Sequence, residues 1–249
     1  QMLLRRQRTV LDRWTFEAGV APESRLLETH IRYMTNLIWT EAFLDRAKWG
    51  YSTWTASNKP LTNAITELFN EFINLRRIHF SVTHNVTNVA KPIGITPTSN
   101  AGIPLSQPPN IYLAIVGVEF NPTSGNQEQE YICVSNPAPF AVDITGWKLD
   151  GGINFTFAPG TVLPSNGVAY VSPNTRAFRA RTTGPRGGQG LFVLGPYNGQ
   201  LSARGETLMV QNTLGQTLNT YSYSGAPTPA QQFLRVTEIM YHPSALDGN

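Results

Sequence analysis

Cysteine is almost absent from this chain, and lysine is scarce after its first third. Cys133 is the only cysteine among 249 residues, so the sequence excludes an intrachain disulfide and a cysteine-rich zinc site. It lies in an apolar run, where we favour a buried small side chain over a reactive thiol. Only Lys91 and Lys148 follow Lys59, and the net charge of +3 is too small and too dispersed to argue for nucleic acid.

Long apolar runs are also missing. No run approaches the roughly 20 residues that a membrane-spanning helix needs, so we expect no membrane span. The sequence opens on no signal peptide, which a fragment of a longer protein would explain. What is present is 21 glycines, 18 prolines and 41 % hydrophobic residues. This composition is typical of a turn-rich β protein that has enough apolar surface to fold.

Apolar residues recur at three- and four-residue spacing from Gln1 to about Ser81, which predicts helices. The second helix is predicted to bury a face that runs from Leu27 to Ala42, and a third helix is predicted to begin at Pro60. In the first helix, four arginines lie among the apolar residues: Arg5, Arg6, Arg8 and Arg13. They could form a nucleic-acid patch or the solvated face of a helix, and we favour the second interpretation.

Residues 85–110 are rich in Pro, Thr, Ser, Asn and Gly without periodicity, which predicts an extended linker. From Ile111 the apolar period changes to two, and turn residues separate short runs. The predicted strands are Ile111–Phe120, Glu130–Ser135, Ala141–Asp150, Asn154–Phe157, Gly167–Ser172, Leu191–Leu194, Glu206–Gln211 and Thr217–Tyr223. Such strands around the centrally placed Trp147 indicate an immunoglobulin-like β-sandwich.

The stretch IVGVEFNP, Ile115–Pro122, nearly recurs as VTEIMYHP at Val236–Pro243. A repeated opening strand predicts that one domain ends and a second begins, so we expect a fragment of a longer multidomain protein. The expected fold class is α+β multidomain, an N-terminal α-helical segment followed by an all-β immunoglobulin-like sandwich. The expected boundaries are 1–84 for the helical segment, 85–110 for the linker, 111–225 for the sandwich and 226–249 for a second linker and opening strand.

The β segment resembles the lamin-tail domain over Ile111–Tyr223. The motifs that carry the resemblance are Ile115–Pro122, Glu130–Asn136, Val142–Leu149, Phe155–Pro164 and Gly205–Leu208. Two positions depart from the family pattern, since Gly117 replaces an early Glu and Cys133 replaces a second acid. The resemblance implies an interaction module, and we expect structural roles for five motif residues: Trp147, Asp143, Gly146, Pro122 and Gly160.

The helical segment resembles the C-terminal part of the spore-coat protein H-like (CotH-like) kinase region of large exported bacterial proteins. The residues that carry this resemblance are the run Glu23–Gly50 and the run Leu68–Arg77, with Lys48 as a departure between Arg and Trp. The nucleotide and metal residues of that family lie upstream of this chain. The resemblance therefore implies no catalytic residue, metal or cofactor here, and it implies an extracellular or cell-envelope location in a bacterium.

One stretch could bind a ligand, the loop from Pro173 to Gly190. It carries Arg176, Arg179, Arg181 and Arg186, and guanidinium groups on such a loop suit phosphate, sulfate or uronate oxygens. A structural or solubilising loop is the alternative that we favour. No catalytic set can be assembled, because His30, His79, His84 and His242 are scattered and Glu128 and Glu130 do not converge.

Three functional hypotheses follow. The first is a non-catalytic fragment of a large exported bacterial protein, in which the sandwich is an interaction, adhesion or scaffolding module for an unknown protein or a cell-surface polysaccharide. The second is a part of a CotH-like protein kinase, with the sandwich as accessory domain. The third is a polyanion or nucleic-acid binder that works through Arg176–Arg186. We favour the first, and nucleic acid is the partner that we least expect.

Overall fold

The computed structural model describes residues 1–15, 20–50, 59–86 and 102–234, together with 237 and 239. An N-terminal helical segment is followed by a β-rich region, as the sequence predicts. The repeat at Val236–Pro243 and the aromatic residues Tyr51 and Trp54 lie outside the described residues, except for Thr237 and Ile239. No helix within the described ranges is long and apolar enough to cross a membrane.

The helical segment contains two long helices and a shorter, irregular run. Helix α1 is Met2–Trp14 and α2 is Leu26–Trp49. Gly50 caps the end of α2 with a φ of +65°, a conformation that favours glycine. After Pro60, α3 is Leu61–Glu67 and α4 is Asn74–Ile78, and wider helical turns over Leu68–Ile73 and His79–Thr83 continue each of them. Arg77 of α4 donates a hydrogen bond to buried Glu28 of α2.

Two larger sheets and one strand pair make up the β-rich region. The strands are β1 Ala114–Glu119, β2 Tyr131–Ser135, β3 Val142–Asp143, β4 Lys148–Asp150, β5 Ile153–Thr156, β6 Val162–Leu163, β7 Val168–Val171, β8 Phe192–Leu194, β9 Asn198–Gly199, β10 Glu206–Gln211 and β11 Thr217–Tyr223. The first sheet has the order β1-β2-β7-β8 and pairs β7 with β8 in parallel. The second is antiparallel with the order β11-β10-β4-β5-β9, and β3 pairs with β6.

The predicted strand Ala141–Asp150 is two short strands, because the chain turns between them. Gly146 has a φ of +74° and donates its amide hydrogen to the carbonyl oxygen of Phe157 at 2.9 Å. Two short helices also occur where the sequence suggested loops, α5 Thr175–Arg179 and α6 Pro229–Phe233. Each begins after a capping side chain, Asn174 and Thr228 respectively, that accepts hydrogen bonds from the first turn.

The chain divides into two compact units. Unit 1 consists of residues 1–113, 135–146 and 157–168, and unit 2 of residues 114–134, 147–156 and 169–249. Buried apolar side chains of unit 1 include Leu113, Ile144, Phe157 and Leu163. Those of unit 2 include Ile132, Leu149, Val171, Phe178, Leu208 and Val210. The domain boundaries expected at residues 84, 110 and 225 stay predictions.

Helix α1 packs against β3 and β6 within unit 1, and its arginines make that contact. Arg5 is only 3 % exposed, stacks on the Phe140 ring, and donates to the carbonyl oxygens of Ala141 and Leu105, both at 2.8 Å. Arg6 pairs with Asp143 at 3.1 Å. The interpretation of these arginines as a solvated face is wrong for Arg5 and Arg8, because both side chains are buried.

Arg8 extends the same contact to the segment that follows residue 101. Its guanidinium donates to the Ser106 hydroxyl at 2.6 Å and forms an ion pair with Asp12 at 2.8 Å. In the same segment, the Gln107 amide accepts from the backbone N–H of Asp143 at 2.8 Å and donates to its carbonyl oxygen at 3.1 Å. Part of the predicted linker is therefore bonded to the β3–β6 pair rather than solvated.

The predicted inner face of α2 is largely open to solvent in unit 1. Leu37 is 64 % exposed, and Met34 and Ile38 are exposed as well, although the apolar spacing predicted their burial. His30, predicted at the edge of a core, is also exposed. Periodicity therefore gave the position of this helix correctly, but not the burial of its apolar face.

Candidate functional site

The candidate site is the stretch from residue 173 to residue 190 in unit 2, which we call the arginine segment. It contains all four arginines that the sequence suggested as ligand-binding residues. Helix α5 forms its first part, because the Asn174 side chain accepts from the amides of Arg176 and Ala177 at 3.0 and 3.1 Å. Phe178 on this helix is completely buried and fixes α5 to the rest of unit 2.

Arg181 differs from the other three arginines, because protein groups surround it. Its side chain is 6 % exposed and donates to the carbonyl oxygens of Gln129 at 2.7 Å and Pro185 at 2.9 Å. The guanidinium lies 5.0 Å from the centre of the Tyr131 ring and 3.8 Å from the Glu119 carboxylate. All sides of this cation are therefore in contact with protein, and its contribution is to hold the arginine segment in place.

The remaining three, which we call the outer arginines, are Arg176, Arg179 and Arg186. All three are exposed, and their side chains make no hydrogen bond or ion pair with any residue of the described part of the chain. Arg176 and Arg179 are three residues apart on α5, a spacing that places two side chains on the same face of a helix.

Arg186 is brought to this helix by the backbone. The amide of the following residue, Gly187, donates to the carbonyl oxygen of Arg179 at 3.0 Å. A side chain at Gly187 would come within 2.5 Å of that oxygen, so the close approach requires glycine. The Gln189 side chain also accepts from the Arg186 amide at 2.7 Å. The three outer arginines therefore belong to one small surface.

Few acids are near enough to neutralise this surface. Glu119 is paired with Arg181, and Glu128 accepts from the Asn174 side chain at 3.2 Å. The outer arginines thus present three guanidinium groups without a carboxylate partner among the residues placed by the structure. Guanidinium forks bind the paired oxygens of phosphate, sulfate and carboxylate groups, which is the chemistry that this surface can perform.

The five residues expected to be structural have these positions. Trp147 is 7 % exposed, and Pro122 is buried and accepts from the Gly125 amide. Asp143 accepts from the amide and hydroxyl of Thr145 at 3.0 and 2.6 Å, in addition to its contact with Arg6. Gly160 has a φ of +86° and donates to the Thr145 hydroxyl. With the turn at Gly146, described above, each of the five is placed at a turn or in the interior.

A second group of polar residues was missed by the sequence reasoning. Glu130 is 1 % exposed and accepts from the Tyr197 hydroxyl at 2.9 Å and from the Leu201 amide at 3.2 Å. Burial raises the pKa of Glu130, and the negative charges of Glu206 and Glu119 act in the same direction. Burial also raises the pKa of Tyr197. The sequence placed Glu130 at the start of a predicted strand, but that position gave no sign of its burial or of its contact with Tyr197.

The other candidates for chemistry are the histidines, the metal-ligating side chains and Cys133. The rings of His79 and His84 meet edge to face with centres 4.1 Å apart, His30 lies on α2, and His242 lies outside the described residues. Within the described ranges, no three of the metal-ligating side chains His, Cys, Asp and Glu are close enough to hold an ion. Cys133 is buried, and burial raises the pKa of its thiol, which disfavours the reactive thiolate.

No protein-family model matches the chain, and no curated protein matches it. The resemblances to the lamin-tail domain and to the CotH-like region rest on the sequence motifs alone, and both stay predictions.

Proposed function

We propose that this chain is a non-catalytic interaction module that binds an anionic partner through the outer arginines. One observation carries the proposal: three exposed guanidinium groups, which have no partner among the described residues, lie on a segment that a fourth, buried arginine holds in place. A cation that is already positioned loses less conformational freedom on binding than a side chain on a loose loop. An ordered segment with free arginines is therefore suited to recognition.

The proposal includes the finer fold, an immunoglobulin-like sandwich of the lamin-tail type. Two contacts within unit 2 favour stacking of the two larger sheets. The amide of Ile115 on β1 donates to the Asn219 side chain on β11 at 3.1 Å. At the end of the same strands, the rings of Phe120 and Tyr223 stack with centres 4.9 Å apart. A sandwich presents its connecting segments at its surface, which is where the arginine segment would act.

The proposal also keeps the location expected from the sequence, outside a bacterial cell or in its envelope, with a protein or a cell-surface polymer as partner. Arginines that bind anionic groups are suited to such polymers. The helical segment has no catalytic role in this proposal.

A binding experiment with inorganic polyphosphate tests the proposal, because this polyanion has neither sugars nor bases. We expect binding that weakens steeply with salt. The variant Arg176→Gln/Arg179→Gln/Arg186→Gln is expected to weaken binding by about tenfold or more, since it removes every charged contact.

A matched control removes the same net charge elsewhere. The variant Arg13→Gln/Arg32→Gln/Arg76→Gln changes three exposed arginines of the helical segment. It is expected to bind polyphosphate as the unchanged chain does. Equal losses in the two variants would mean that net charge alone governs binding, and the proposal would be rejected.

A further inference from the structure

We infer that the partner of the outer arginines is an anionic polysaccharide, a sugar polymer that carries sulfate or carboxylate groups. This inference rests on the proposed function and specifies the ligand class of the same surface.

The surface offers cations and small hydrogen-bonding groups. Around the outer arginines, the exposed side chains of the arginine segment include Thr182, Thr183 and Gln189. The two threonine hydroxyls form no hydrogen bond with the part of the chain that the structure describes. A sugar polymer carries hydroxyl groups and anionic groups together, so it can use the threonines and the arginines at once.

Aromatic faces, which single-stranded nucleic acids need for base stacking, are not free on this surface. Phe178 is the one aromatic residue of the arginine segment, and it is fully buried. The nearby Tyr131 ring is in contact with the Arg181 guanidinium on a face and with Phe178 at its edge, with centres 5.6 Å apart. The arginine segment therefore offers a base no exposed ring to stack on.

Double-stranded nucleic acid is disfavoured by the size of the element that carries the charges. Helix α5 has five residues, which corresponds to about 7.5 Å of helix at 1.5 Å per residue. Recognition in the major groove uses longer helices or a two-stranded ribbon. Three phosphate contacts would give only a weak, purely electrostatic interaction with duplex.

The spacing of the cations suits a polymer with closely spaced anionic groups. Side chains three residues apart on a helix have Cβ atoms about 5–6 Å from each other, and the bond from the Gly187 amide to the Arg179 carbonyl oxygen brings the backbone next to Arg186 close to this pair. Anionic groups on neighbouring sugar units of a linear polysaccharide can therefore reach two or three guanidinium groups at once. Each pair would be charge-assisted, and the fork geometry would favour planar carboxylate or sulfate oxygens.

A competition experiment on the full chain tests this inference. Labelled dextran sulfate is bound to the protein, and unlabelled dextran sulfate, polygalacturonate, single-stranded DNA and duplex DNA compete at equal concentration of anionic groups. Polyphosphate is included as the polyanion without sugars. We expect at least one polysaccharide to compete about tenfold better than either DNA, and the Arg176→Gln/Arg179→Gln/Arg186→Gln variant to lose that binding. The control variant Arg13→Gln/Arg32→Gln/Arg76→Gln should retain it.

The outcomes separate this inference from the proposed function. Suppose that DNA competes as well as the polysaccharides and that this competition depends on the outer arginines. That result would overturn the polysaccharide inference and leave the proposed function standing. Binding of no polymer, or binding that the outer arginines do not affect, would overturn both. Competition by dextran sulfate without competition by polygalacturonate supports the inference and identifies sulfate as the group recognised. Polygalacturonate that competes better than dextran sulfate also supports it and identifies carboxylate.

A lysine variant tests whether the guanidinium forks matter. Arg176→Lys/Arg179→Lys/Arg186→Lys keeps the three charges and removes the forked donors. We expect it to bind polysaccharide several-fold more weakly than the unchanged chain, while unaltered thermal unfolding shows that the fold is intact. If the lysine variant bound polysaccharide as tightly as the unchanged chain and bound DNA more tightly, the forked donors of arginine would not be what recognises the polysaccharide.

Discussion

Arg181 and the outer arginines show that identical residues in one loop can have opposite environments. The sequence placed four arginines among Gly, Thr and Pro and gave no period that could separate them. The separation depends on two carbonyl oxygens, at Gln129 and Pro185, and on the Tyr131 ring. Gln129 is 52 residues away in the chain, so no local pattern could have identified the contact.

Replacing the buried arginine is expected to destabilise unit 2. Arg181→Ala leaves two carbonyl oxygens without their donor and the Glu119 carboxylate without its ion-pair partner, which we expect to lower the free energy of unfolding by about 2–4 kcal/mol. Chemical denaturation measures this change. Arg179→Ala, at an exposed site, is the control and should stay within about 0.5 kcal/mol of the unchanged chain. Equal stability of the two variants would mean that Arg181 does not hold the segment.

The buried Glu130 is expected to make the stability of the folded chain depend on pH. Burial raises its pKa above the ordinary glutamate value of 4.5, so the folded chain binds the proton more tightly than the unfolded chain does. Its favourable contribution is fully present below pH 4.5 and is lost as pH rises through the raised folded pKa. In Glu130→Gln, which still accepts from Tyr197 and Leu201, this loss should disappear.

Denaturation with urea at a series of values from about pH 4 to pH 7 measures the effect. The control Glu71→Gln removes one exposed carboxylate and should keep the loss seen in the unchanged chain. If Glu130→Gln showed the same pH dependence as the unchanged chain, the carboxylate would not be the group that titrates.

Replacing Trp147 tests whether this side chain contributes to the packing of the interior of unit 2. Because it is buried, Trp147→Ala should leave a cavity and lower the free energy of unfolding by roughly 3–5 kcal/mol. Trp49, which is 71 % exposed, provides the matched control, since Trp49→Ala removes the same ring from a solvated position. Thermal unfolding of the two variants compares them directly, and a small loss for Trp147→Ala would contradict its interior role.

At the scale of elements, α1 shows why a pattern of arginines and apolar residues is ambiguous. The spacing correctly predicted a helix, but charge in a helix usually indicates the solvated side. Here the Arg5 side chain instead donates hydrogen bonds to the backbone carbonyl oxygens of Leu105 and Ala141. The aliphatic part of an arginine side chain can cover apolar surface. A helix face with arginines can therefore be buried when the guanidinium groups find hydrogen-bond acceptors.

The contact of α1 with the β3–β6 pair is expected to depend on Arg5. Arg5→Ala should lower the free energy of unfolding of unit 1 by about 1–3 kcal/mol, because two carbonyl oxygens lose a partner. Arg13 on the same helix is exposed and serves as control. Hydrogen exchange of the α1 amides measures the local effect, and equal exchange rates in Arg5→Ala and Arg13→Ala would contradict it.

At the scale of the molecule, the longer strands were predictable, and the grouping of the elements was not. Strands β10 and β11 coincide with the predicted Glu206–Gln211 and Thr217–Tyr223, because alternation and turn residues are local signals. Unit 1, in contrast, joins residues 1–113 with two stretches of the β-rich region. That grouping includes individual hydrogen bonds such as those between Gln107 and Asp143. Such contacts cannot be predicted from the periodicity of the sequence. The outer arginines were named from the sequence, but only the structure shows that they have no acidic partner among the described residues.

This grouping predicts how a shortened chain would behave. A piece that ends at residue 113 lacks β3 and β6, the strands that contact α1. We therefore expect the α1 amides to exchange quickly in residues 1–113 and slowly in residues 1–234. Equal protection in both pieces would mean that the helical segment folds without the β3–β6 pair.

The Gln107 side chain has a consequence for how copies of this chain meet in solution. Its amide presents one donor and one acceptor to the backbone of Asp143, just as a peptide group of an adjoining strand would. The outer edge of β3 is therefore already occupied at this residue, and exposed strand edges are the usual templates for aggregation. Deamidation of Gln107 to a glutamate would replace the donor by a second acceptor and open this edge to intermolecular pairing.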